Sequence, residues 1–303
     1  MSSDKIKAYI PCGGGLGDVI QVYMSNPHNH YESMMRDRPE EFPTSINFSS
    51  LWFRRLEDFK ERNPQSSVIV KAMCHNPTVA ELFKYHPYID RVDLMDHNPT
   101  ENPEWWREDY DGYKYICNIE DGEMSYEKYT ASKLKIYLDY HEKCHADLII
   151  GNGKYIVIHP FAGCKHREVV GVDVYNKLSD RFIDAGYRVI VVGGKHEKYP
   201  RETSNRFCNL TGYSVRVALY LILNSFGFVG THSSMIMPAW WSRRKCVCIV
   251  PKTHDNKQTT WEEFINSGNP TTWGFKQSFN KTIITERNAA LDYNSIVRWI
   301  DVS

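Results

Sequence analysis

Three short segments combine residue types that bind anions or move protons. The first is Gly13-Gly-Gly-Leu-Gly-Asp18. It reads as a turn from a strand into a helix, in which Gly14, Gly15 and Gly17 let backbone approach a ligand closely and helix-start amides attract negative charge. Asp18 has two readings: a helix N-cap, or a carboxylate general base that accepts a proton from a hydroxyl. The segment is not the dinucleotide fingerprint, because Asp18 stands where the third glycine belongs, and no Gly-Lys-Ser/Thr follows to make a Walker A loop. The second segment is His159-Pro-Phe-Ala-Gly-Cys-Lys-His-Arg167. Lys165, His166 and Arg167 form either a solvated basic loop or a cationic cradle for phosphate at a strand end. The third is Phe228-Val-Gly-Thr-His-Ser-Ser-Met-Ile-Met-Pro-Ala239. Ser233 and Ser234 open a helix there, so they cap it or bind a diphosphate.

The elements around these segments alternate. Lys7–Ile10 reads as a strand running into the glycine turn, with an apolar helix at Val19–Met24. The segment Ser25–Ser50 is rich in Asn, Pro and Ser and reads as a long loop. A helix at Leu51–Arg62, strands at Ser67–Lys71, Val92–Leu94 and Tyr115–Cys117, and helices at Val79–Phe83 and Glu127–Tyr140 follow. The pattern restarts with a strand at Lys154–His159. Val174, Leu178 and Phe182 recur at helical spacing, ended by Gly186. Then come a strand at Arg188–Val192 with Gly193-Gly194 as its exit, a helix at Val215–Leu223, a strand at Phe226–Val229, a helix at Met235–Trp241 and a strand at Cys246–Val250. Leu291–Ile300 reads as the last helix. Strand–helix alternation predicts mainly parallel sheets covered on both faces. The restart predicts two such domains, 1–150 and 151–303, joined at Gly151-Asn-Gly153, with a ligand at the carboxyl ends of the strands.

Composition narrows the function classes. The chain has 303 residues, 42% hydrophobic and 24% charged, which excludes disordered and low-complexity classes. Lys and Arg number 37, and so do Asp and Glu, so a whole-surface grip on DNA or an anionic membrane is not expected. Met1–Lys7 is polar, no apolar run is long enough to span a bilayer, and the eight cysteines contain no CxxC pair. Together these predict a cytoplasmic protein with reduced thiols and no stable membrane insertion. His141, Cys144 and His145 are weighed as metal ligands, against solvated histidines on a helix face; His28 and His30 read as ordinary loop residues. Trp240 and Trp241 are expected to pack their helix on the sheet, whereas Trp105 or Trp106 is a candidate for stacking on a sugar.

The ordered set "GGLGD", "VIHPFAGCKHR", "VIVVGG", "NLTG" and "FVGTHSSMIMPAWW" resembles glycosyltransferase family 9, the bacterial ADP-heptose heptosyltransferases, over most of the chain. The resemblance implies the GT-B fold, two Rossmann-like domains with a cleft between them, the last helix (about 291–300) crossing back to the first domain. It implies an inverting, metal-independent transfer of a sugar from a nucleotide-diphosphate sugar to an acceptor hydroxyl. The nucleotide sugar is then a co-substrate, with no cofactor, and the acceptor a glycan or modified DNA base. Asp18 matches the aspartate of the family's Gly-Asp motif and becomes the candidate base. Lys165 matches the lysine after the restart strand and becomes a contact to the donor phosphates. Gly14, Gly15, Gly17, Arg167, Gly193, His232, Ser233 and Ser234 complete the expected donor contacts, with no metal ligand. The chain departs from the family's Asp-Ser-Gly-x-x-His: His232 replaces the aspartate, Ser234 the glycine and Met237 the histidine. This leaves the nucleotide and sugar open and suits a divergent, viral or phage branch. The alternative is a non-catalytic nucleotide-sugar or glycan-binding protein on the same fold; a nicotinamide dehydrogenase is disfavoured by the failed fingerprint.

Overall fold

A computed structural model describes residues 7–12, 56, 60–73, 77–95, 114–115, 136–163, 167–253, 259–266, 274–287 and 289–301. The chain divides into two compact units, Met1–Tyr137 and Leu138–Ser303. The division falls ahead of the linker expected at Gly151-Asn-Gly153.

The first unit has a four-stranded parallel sheet of β1 (Lys7–Cys12), β2 (Ser67–Met73), β3 (Arg91–Met95) and β4 (Lys114–Tyr115), ordered β3-β2-β1-β4. Helix α1 (Pro77–Phe83) packs on β2 and β3. Val68, Ile69 and Val70 are fully buried, which explains the unbroken apolar run of β2: a parallel strand covered on both faces has no polar side. Strand β1 is central and leads straight into Gly13. Residues 13–55 are otherwise outside the described set, and with them Gly14, Gly15, Gly17, Asp18, the helix expected at Val19–Met24, and His28 and His30. Trp105 and Trp106 also lie outside it, as does most of the expected helix Glu127–Tyr140.

The second unit contains α2 (Tyr140–Ile150), which begins where the helix expected at Glu127–Tyr140 would end and carries His141, Cys144 and His145 on a helix, as their spacing suggests. A reciprocal cap starts it: Asp139 Oδ1 accepts from the Glu142 amide at 2.7 Å, and Glu142 Oε2 accepts from the Asp139 amide at 3.2 Å. Two helix-end donors are thus satisfied. The Arg216 guanidinium then grips the Glu142 carboxylate, Nη2 to Oε1 at 2.5 Å and Nε to Oε2 at 3.2 Å, and ties α2 to α4 (Val215–Asn224).

The six remaining strands are β5 (Tyr155–His159), β6 (Arg188–Gly193), β7 (Phe207–Thr211), β8 (Gly227–Thr231), β9 (Lys245–Pro251) and β10 (Asn280–Thr285). They form one parallel sheet, ordered β10-β9-β8-β5-β6-β7. Alternate strand residues, Ile156 and Ile158 on β5, Val189 and Val191 on β6, face one layer. There they meet Tyr175, Leu178 and Phe182 of α3 (Val172–Asp184) and Ile296 and Ile300 of α7 (Tyr293–Asp301). Each such fully buried side chain contributes about 1.5–3 kcal/mol. Gly186, at φ +93°, turns the chain out of α3 as expected. Helix α7 packs on α3 and β9 within this unit, and Tyr187 donates to Asp301 Oδ1 at 2.5 Å to fix its end. On the other face Tyr155 donates to the Leu221 carbonyl of α4, and α5 (Ile236–Trp241) lies on β8 and β9. Trp240 is buried there and donates to Asn280 Oδ1 at 3.1 Å, as its expected packing role requires. A short helix, α6 (Trp261–Asn266), follows β9.

Candidate functional site

Counted from β5, the second sheet runs sixth-fifth-fourth-first-second-third. This is the dinucleotide-fold order, and its ligand crevice lies beyond the carboxyl ends of the first and fourth strands, where chain order reverses. Those strands are β5 and β8. His159 ends the one and Thr231 the other, and β6 brings Gly193-Gly194 alongside.

Two glycines permit this convergence. Gly230 pairs with His159 across the β5–β8 ladder, and a Cβ on it would stand 2.4 Å from the His159 carbonyl oxygen. A Cβ on Gly193 would stand 2.9 Å from the Phe161 ring. A larger residue at Gly230 would force the strand ends apart, and one at Gly193 would displace the Phe161 ring.

His159 is buried, at 5% exposure. Its Nδ1 lies 3.0 Å from Ser233 Oγ and its Nε2 lies 3.8 Å from Glu197 Oε2. Glu197 Oε2 also accepts from the Gly194 amide at 2.5 Å, and Ser233 Oγ accepts from the Met235 amide at 3.3 Å. One imidazole therefore joins the loops after β5, β6 and β8. Beside it, Thr231 Oγ1 donates to the Arg167 carbonyl at 2.6 Å, and Arg167 Nη1 lies 3.5 Å from His232 Nδ1. A guanidinium only donates, so in this contact His232 Nδ1 is the acceptor. The His232 ring lies among Trp261, Phe275 and Trp240, with centroids at 4.9, 5.2 and 6.1 Å.

A cleft of about 540 Å³ opens at this edge, lined among others by Phe161, Glu168, His196, Glu197, Lys198 and Arg287. Its size suits a small-molecule ligand. Gly171, the N-cap of α3, also lines it and supplies no side-chain acceptor to the helix start. The wall offers carboxylates for sugar hydroxyls and cations for phosphate.

Of the residues singled out in the sequence, Arg167, Gly193, His232, Ser233 and Ser234 meet at this edge of the second sheet. Lys165 lies outside the described residues. His159, Glu197, Glu168, Lys198 and Arg287 are additions. Glu197 had a signal: it stands just past Gly193-Gly194 at the exit of the second strand, where dinucleotide folds carry the acid that binds a ribose. His141, Cys144 and His145 do not assemble. Among the described residues no three His, Cys, Asp or Glu side chains stand close enough to hold a metal ion, and the His145 ring instead meets Tyr213 at 5.3 Å. Burial pushes the Cys246 and Cys248 thiols up, so both stay protonated. No described helix is long and apolar enough to cross a membrane.

The sequence matches no family model and no curated protein. Solved structures do match. The chain is similar to the glycosyl transferase family 9 protein from Veillonella parvula DSM 2008, at 12% identity and a TM-score of 0.52, covering 94% of this chain and 87% of that one. It is also similar to the ADP-heptose lps heptosyltransferase II of E. coli, at 12% identity and a TM-score of 0.54, covering 98% of both. The fold is thus that of the GT-B heptosyltransferases, as the ordered motifs imply. These structures lend no support to a viral or phage source, nor to a modified DNA base as acceptor.

Proposed function

We propose that the chain is a nucleotide-sugar glycosyltransferase whose second unit binds the donor. The observation that carries this reading is the convergence of the Ser233–His159–Glu197 contacts and the Arg167–His232 contact at the reversal point of a dinucleotide-order sheet. The heptosyltransferase fold agrees with it. Arg167 and Lys165 would face the donor diphosphate, with the backbone of Gly193 and the Ser233–Ser234 segment; Glu197 would take ribose hydroxyls. In the reaction, the bond from the anomeric carbon to the diphosphate breaks as a bond to the acceptor oxygen forms on the opposite face, inverting the centre. Negative charge grows on the leaving diphosphate, where fixed cations stabilise it most. The cations are side chains here, so turnover should survive a chelator. The acceptor proton goes to Asp18, beside the backbone of Gly14, Gly15 and Gly17. The free thiols Cys144, Cys208, Cys246 and Cys248 fit a reducing cytoplasm.

The test is donor turnover. The protein is incubated with a panel of nucleotide sugars, with and without glycan acceptors, and released nucleoside diphosphate is measured. Release that depends on an acceptor, and that weakens in Arg167→Ala and Lys165→Ala by about 1.5–3 kcal/mol, supports the reading. Tight donor binding with no release across the panel would instead assign a non-catalytic nucleotide-sugar-binding protein.

A further inference from the structure

We infer that Thr231, the last residue of β8, is a positioning residue whose hydroxyl fixes the backbone of Arg167, so that the guanidinium is set in place before a donor diphosphate arrives. This rests on the donor-site reading above and assigns a role to a residue outside the phosphate-contacting set.

The segment that leaves β5 at Pro160 carries Arg167. Two contacts shape it from within: Glu168 Oε1 accepts from the Ala162 amide at 3.0 Å, and the Arg167 carbonyl accepts from the Val169 amide at 3.0 Å. Both partners in each contact belong to this one segment. The bond from Thr231 comes from elsewhere, across 64 residues of sequence and from the end of a neighbouring strand. Its Oγ1 donates to the same Arg167 carbonyl at 2.6 Å. A carbonyl oxygen has two lone pairs, so it serves both donors. Thr231 is 1% exposed, which keeps water from competing for that bond. Its β-branched side chain has few χ1 choices, and a strand end therefore aims the hydroxyl in a fixed direction.

The next residue meets the other end of the arginine. His232 Nδ1 lies 3.5 Å from Arg167 Nη1, and the buried Trp261 and Phe275 rings hold the imidazole from behind. Two consecutive residues thus meet one side chain, Thr231 at its carbonyl and His232 at its tip. An arginine that is free to move loses rotamer freedom when an anion captures it, and that loss weakens binding. Setting the backbone from Thr231 places the start of the side chain where His232 can steer its end. The guanidinium then faces the diphosphate without rearrangement, which is the condition for it to stabilise the leaving group as charge develops.

A double-mutant cycle on the full chain tests this. Calorimetry with ADP-, GDP-, CDP- and UDP-glucose identifies the tightest of the four, which then serves for every variant. Thr231→Val keeps the side chain's branching and removes the hydroxyl, and affinity should fall by about three- to tenfold. Thr231→Ala, which removes the hydroxyl without setting a methyl against the carbonyl, should do the same. Thr231→Ser keeps the bond and should bind within about twofold of wild type. In an Arg167→Ala background, Thr231→Val and Thr231→Ala should each change affinity by less than about twofold, because no guanidinium is left to place. A threonine that only supports the fold would weaken binding equally in both backgrounds, and that result would overturn the inference. Unchanged affinity in Thr231→Val and Thr231→Ala, or a loss in Thr231→Ser as large as theirs, would also overturn it and leave the donor reading standing. Failure of all four compounds to bind the wild-type protein would overturn the donor reading and the inference together.

Discussion

Gly230 passes His159 so closely that a Cβ on it would stand 2.4 Å from the histidine's carbonyl oxygen. The contact lies on the β5–β8 ladder, directly beneath the proposed donor site. Gly230→Ala must therefore push the two strand ends apart, an overpacking cost of about 1–3 kcal/mol. Urea denaturation should show that loss as a lower midpoint. Donor affinity should fall as well, because Ser233 and His159 ride on the separated ends. An unchanged midpoint would show that the strands do not approach this closely.

Glu197 should separate nucleotides from bare phosphate. If its carboxylate takes ribose hydroxyls, Glu197→Ala loses charged hydrogen bonds worth about 1.5–3 kcal/mol. At a fixed pH, affinity for a nucleoside diphosphate should then drop roughly tenfold or more relative to affinity for inorganic pyrophosphate. An unchanged ratio would confine Glu197 to its contacts with Gly194 and His159.

Asp18 carries the proposed proton transfer. Asn caps a helix about as well as Asp, so Asp18→Asn keeps a cap and the side chain's shape but removes the base. Turnover with a working acceptor should fall by roughly 10²–10⁴-fold, with donor affinity near wild type. Near-normal turnover would reduce Asp18 to a helix cap.

The ion pair between Glu142 and Arg216 binds α2 to the second unit, with side-chain exposures of only 15% and 4%. Glu142→Ala removes that carboxylate together with half of the reciprocal cap on α2. Breaking a buried pair typically costs about 3–5 kcal/mol. Thermal unfolding of the variant should begin earlier, and residues 140–150 should be the first to exchange amide hydrogens. A variant as stable as the wild type would mean that α2 is not integral to this unit.

What the sequence reveals follows from burial. β5, β6, β8 and β9 are covered on both faces, so each is a nearly continuous apolar run and easily read. β7 and β10 are edge strands with half-exposed residues, FCNLT and NKTIIT, and carry no such run. Helix α2 has little amphipathic pattern, and the apolar Leu148-Ile149-Ile150 before Gly151 reads as the end of a domain. Its real signal is Asp139 three residues before Glu142, a reciprocal-cap spacing. At the site, Arg167, Gly193 and the His232–Ser234 segment stand in motifs at strand ends and are visible as such. His159 and Glu197 also stand at strand ends, but their meeting with Ser233 depends on β5 lying between β6 and β8, and strand order is not written in any local pattern.

The central claim is that the second unit holds a nucleotide-sugar donor at the β5–β8 reversal point. A crystal structure of the full chain with a bound nucleotide sugar tests it most directly. The account predicts the diphosphate beside Arg167, Ser233 and Ser234 and the ribose at Glu197. A donor seated away from the carboxyl ends of β5 and β8, or held by the first unit, would contradict it.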